Sequence, residues 1–251
     1  MSEVYYNASN LIVSNGFVRN PERYYLEEFF LQRPALNAVN IIDPDADDVT
    51  DLALTQAANK NFEVFGTTTS LCTFNATHAA ITITTQGSDQ NQAIILPHTD
   101  TNQTAWSGIK WGTENQVEWE CAISIPNIEH IKVWAGLKLT NDQPFADDDN
   151  QAFFKFQTDA VNGDTFTTFA NLHFIYSKAG TDYITDLGIK VEAVTIYRLR
   201  IVINKAREVT IFVNEKQYSL TQTSTSGGAT ESAINKRSQP LTDNIDLIPY
   251  I

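Results

Sequence analysis

Residues 116–140 read QVEWECAISIPNIEHIKVWAGLKLT, two runs of strict alternation joined by a short connection. A period of two marks a β-strand, whose successive side chains project to opposite faces of a sheet. Val117, Trp119, Cys121, Ile123 and Ile125 fall on one side of the first run, and Gln116, Glu118, Glu120 and Ser124 on the other. In the second run Ile131, Val133, Ala135, Leu137 and Leu139 oppose Lys132, Trp134, Lys138 and Thr140. Pro126 and Asn127 break the ladder between them, so the pair reads as consecutive strands.

The pattern extends in both directions. HAAITITT (78–85) puts Ile81 and Ile83 inward, TIYRLRIVIN (195–204) sets Tyr197, Leu199, Ile201 and Ile203 against Arg198 and Arg200, and EVTIFVN (208–214) alternates likewise. Shorter apolar runs are FEVFGT (62–67), QAIILP (92–97), AFFKF (152–156), NLHFIYS (171–177) and IDLIPYI (245–251). About ten such strands, punctuated by Gly, Asn, Asp and Thr, predict an all-β, antiparallel two-sheet sandwich, each sheet burying one face and wetting the other.

The amino-terminal part departs from this pattern. NPERYYLEEFFLQR (20–33) predicts a helix over about 21–33: Asn20 can cap it, Pro21 suits its first position, and Glu22 complements the helix dipole. Tyr25 and Phe29, like Leu26 and Phe30, sit four apart and share a face too aromatic to leave in water. Residues 1–49 are therefore expected to form an arm that docks through Tyr24, Tyr25, Phe29 and Phe30, and residues 50–251 to form the sandwich. The stretch TQTSTSGGATESA (221–233) reads as a loop.

Composition narrows the function. The 251 residues carry 30 acidic against 17 basic side chains, a net charge of -13, which opposes any grip on nucleic acid by phosphate neutralisation. The start MSEVYYNASN lacks a signal-peptide pattern and no stretch is apolar enough to span a membrane, so cytoplasmic synthesis is expected. Cys72 and Cys121 have no zinc-type spacing, and His78, His98, His130 and His173 are scattered.

Few residues suggest chemistry. Glu118 and Glu120 project from one strand face at a separation of roughly 6 to 7 Å, close to that of paired glycosidase carboxylates. A solvated strand face is the expected reading of the pair, and no catalytic residue is expected. Asp147 and Asp149 read as part of a solvated acidic loop, with calcium ligation as the lesser alternative, and no cofactor is otherwise expected. Trp106, Trp111, Trp119 and Trp134 are clustered in sequence, but Trp119 shares the apolar side of its strand. Trp134, on the lysine side, is the candidate glycan-binding ring. YSKAGTDY (176–183) reads as a hairpin turning at Gly180.

The segments NKNFEVFGT (59–67), IILPHTDTNQTAW (94–106), VEWECAISI (117–125), WAGLKLTND (134–142), DDDNQAFFKF (147–156), YRLRIVINKAREVTIFVN (197–214) and LTDNIDLIPYI (241–251) resemble virion structural proteins of tailed phages, especially marine ones. Those proteins carry a concanavalin A-like (laminin-G-like) jelly-roll sandwich, and the resemblance spans roughly residues 50–251. It implies a non-enzymatic virion subunit, a head decoration or fibre, assembled in the host cytoplasm. Its partners would be other virion proteins and further copies of itself as a homo-oligomer. Members of that family usually continue past the IPYI segment with one more strand. Glucanases of the same fold carry an aspartate between two glutamates, where this chain has Trp119. A carbohydrate-binding module is the alternative, and a glycoside hydrolase or polysaccharide lyase a more distant one.

Overall fold

The computed structural model describes strands 4–6, 12–14, 63–66 and 71–75, together with residues 80–85, 93–97, 111–139, 147–158, 170–223 and 235–251. Every regular element among the described residues is a β-strand, and every pairing is antiparallel. The chain divides into two compact units, residues 1–109 with 142–145, and residues 110–141 with 146–251.

In the first unit β1 (Val4–Tyr6) pairs with β2 (Ile12–Ser14), β3 (Glu63–Gly66) with β6 (Ala93–Leu96), and β4 (Leu71–Asn75) with β5 (Ala80–Thr84). Strand β5 does not sort its faces as its alternation predicts, since Ile81, Thr82 and Ile83 are all half-buried. The expected helix over 21–33, the docking residues Tyr24, Tyr25, Phe29 and Phe30, and the expected boundary near residue 50 lie outside the described residues.

The second unit is the two-sheet sandwich. Its strands are β7 (Trp111–Gly112), β8 (Val117–Ser124), β9 (Lys132–Lys138), β10 (Gln151–Gln157), β11 (Asn171–Lys178), β12 (Thr181–Lys190), β13 (Ile196–Ile203), β14 (Val209–Val213), β15 (Lys216–Tyr218) and β16 (Asp246–Tyr250). One sheet has six strands in the order β12-β11-β10-β9-β16-β7, the other four in the order β15-β14-β13-β8. The last apolar run of the sequence thus lies inside the larger sheet: Tyr250 pairs with Gly136 on one side of β16, and Asp246 with Gly112 on the other.

Alternation fills the space between the sheets. Val117 and Trp119 of β8, Leu199, Ile201 and Ile203 of β13, and Val209, Ile211 and Val213 of β14 meet Ala135 and Leu137 of β9, Ala152, Phe154 and Phe156 of β10, and Leu172, Phe174 and Tyr176 of β11 in one buried cluster. Each large apolar side chain withdrawn from water contributes roughly 1.5 to 3 kcal/mol. Phe154 and Phe174 meet edge to face at 5.1 Å, and Tyr176 stacks on Tyr183 at 4.6 Å. The Tyr176 hydroxyl donates to the Thr221 carbonyl (2.8 Å) and accepts from the Gln239 N–H (3.2 Å), which fastens two connecting segments to the core.

The two sheets differ on their second faces. The smaller sheet behaves as its sequence predicts: β8 alternates buried or half-buried with exposed, and Glu118, Glu120, Ala122 and Ser124 are in water. The larger does not wet its other face. All seven residues of β10 are buried, as are Leu172 to Ser177 of β11, and Lys138, expected on the wet side of β9, is 2% exposed. AFFKF carries the reason in its composition, because a strand buried on both faces reads as a nearly continuous apolar run.

Candidate functional site

Among the described residues, the second face of the six-stranded sheet gathers buried polar and charged side chains: Lys138, Gln151, Lys155, His173 and Ser177. Antiparallel register arranges them in rows across the strands. One row runs Trp134, Lys155, His173, Asp186 through β9, β10, β11 and β12. The next runs Tyr250, Gly136, Phe153, Ile175, Ile184, and a third runs Ile248, Lys138, Gln151, Ser177, Asp182. The middle row is apolar and separates two polar ones.

Polar groups withdrawn from water need partners. Gln151 donates from Nε2 to Ser177 Oγ (2.9 Å), and Ser177 Oγ donates to Asp182 Oδ1 at 2.5 Å. Asn171 Nδ2 donates to both oxygens of Asp186 (3.1 and 3.0 Å), which also accepts the Gly188 N–H at 2.8 Å. A register shift between Leu172 and His173 turns Asp186 into this position. His173 Nδ1 lies 3.0 Å from the Asn171 carbonyl.

These surroundings move the titrations. Burial pulls the His173 imidazole below its usual range, opposed by Asp186 and the Asn171 carbonyl and assisted by Lys155. Burial pushes the Asp182 carboxyl up, against the Ser177 hydrogen bond, and nearby Asp147 adds to the rise. The Tyr250 hydroxyl is raised well above the ordinary phenol value, chiefly by burial, with Asp147 and Asp148 adding to it. Each shift favours the uncharged form, which suits a packed layer.

Trp134, the candidate glycan-binding ring, stands half-buried at the end of its row. Lys132 Nζ lies 5.6 Å and Lys155 Nζ 5.3 Å from its centroid, and the Phe153 ring is 5.1 Å away, so three neighbours within the protein already use the indole. Lys132 is exposed whereas Lys155 is 5% exposed.

The remaining candidates lie apart from this face. Glu118 and Glu120 are exposed on the outer side of the smaller sheet, and Glu118 Oε1 pairs with Arg200 Nε at 2.7 Å. Trp119 is in the core. Cys121 packs against the same core, where burial pushes its thiol far above the ordinary range. Asp147 and Asp149 are exposed ahead of β10, and the Asp149 carbonyl accepts the Gly180 N–H at 2.9 Å. Among the described residues, no three His, Cys, Asp or Glu side chains are grouped to hold a metal.

Lysine, histidine and aspartate inside β9–β12 were not marked by alternation, because a strand buried on both faces gives each polar residue the same appearance as a wet one. The signal that identifies them is their setting among uninterrupted aromatic residues in AFFKF and NLHFIYS. No family model and no curated protein matches the chain. Among solved structures, the binding domain of Paraclostridial Mosquitocidal Protein 1 is similar with a TM-score of 0.40 and 10% identity, over 76% of this chain and 42% of that one. The chain thus spans less than half the length of that binding domain.

Proposed function

We propose that the chain is a non-enzymatic structural protein of a tailed-phage particle, a head-decoration, fibre or other exposed subunit. One observation carries the reading: the central strands of the larger sheet are buried on both faces, with Phe153, Ile175 and Tyr250 withdrawn from water on the face turned away from the core. Asp182 is tied to Ser177 and Asp186 to Asn171, and burial holds His173 and Asp182 towards their uncharged forms, which stabilises a fold and offers little to a substrate. The acidic pair Glu118 and Glu120 is on the other sheet, exposed, with one member engaged by Arg200. The ordered series of segments from 59 to 251 supplies the link to virion proteins. Residues 1–49, through Tyr24, Tyr25, Phe29 and Phe30, are proposed to anchor the subunit to neighbouring virion proteins.

An antibody raised against residues 110–251 tests this by immunogold labelling of purified particles. Gold on intact particles is the expected result, and a chain lacking residues 1–35 should fold by circular dichroism yet be missing from them. Protein found only in the soluble lysate, or turnover of a polysaccharide by the pure chain, contradicts the reading.

A second reading has one observation in its favour, the exposed rim of Trp134 beside the exposed Lys132. On that reading the rim contacts a host or environmental glycan. Retention on a polysaccharide column that Trp134→Ala abolishes supports it; passage of the intact chain through every column ends it.

A further inference from the structure

We draw no further inference here: the strongest candidate, the apolar tip of the β12–β13 turn, where Val194 holds a left-handed backbone at φ 63° while 72% exposed beside Ile196 at 64%, carries nothing because nothing in the structure shows what covers it.

Discussion

Gly136 shows how closely the second face is assembled. It pairs with Phe153 of β10 and Tyr250 of β16 in the apolar row, where the Phe153 and Tyr250 rings lie 6.4 Å apart and Trp134 of the neighbouring row stands 5.1 Å from Phe153. A Cβ at this position would stand 2.6 Å from Phe153 Cα, too near for any carbon. Gly136→Ala should therefore lower stability by roughly 1 to 3 kcal/mol, read as a shift of the urea midpoint, and an unchanged midpoint would deny the close approach. The Tyr176 hydroxyl is the second test at this scale. Burial pushes its pKa up to about 12, against the Gln239 hydrogen bond that lowers it. A raised pKa means that the folded chain prefers the neutral phenol. Its contribution is intact below about 10, the value in an unfolded chain, and is lost as pH climbs towards 12. Tyr176→Phe should cost roughly 1 to 3 kcal/mol at neutral pH, since it strands the Thr221 carbonyl and the Gln239 N–H, and should flatten the fall in stability between pH 10 and 12. An equally steep alkaline fall in the variant would assign that loss to other groups. Neither role was visible in the sequence, because a glycine in WAGLK and a tyrosine in NLHFIYS read as ordinary strand residues.

Elements were more legible than residues. The strands β8, β13 and β14 follow the predicted alternation face by face, since water on one side and core on the other impose the period directly. The β11–β12 hairpin turns where Gly180 predicts, with Ala179 at φ 49° and Gly180 at φ 76°, the two left-handed positions of a two-residue turn. Ala179 is exposed and pays a steric cost there that asparagine largely avoids. Ala179→Asn should raise stability by roughly 0.5 to 1 kcal/mol in thermal unfolding, and a lower melting temperature would mean that the turn adopts another form. Strands β10 and β11 were less legible. Lys155 and His173 look like members of a wet face until neighbouring strands supply Trp134 and Asp186 as partners, and those contacts arise between segments far apart in the chain.

At the scale of the molecule, the two-sheet sandwich was readable and the closure of its second face was not. A sheet buried on both sides explains why a chain with three lysines among β9 and β10 shows so few of them to solvent. It also separates the candidate residues: Trp134 ends a packed row, the acidic pair lies on the opposite sheet, and Asp147 and Asp149 flank the outer end of β10. The buried second face is compatible with the proposed role as a particle subunit. The direct test is amine footprinting of the intact chain, with an acylating reagent read by mass spectrometry. Lys138 and Lys155, 2% and 5% exposed, should stay unmodified while Lys132, Lys205 and Lys216 react quickly. Modification of Lys138 and Lys155 at the pace of the surface lysines would mean an open groove on that face, and would contradict the account.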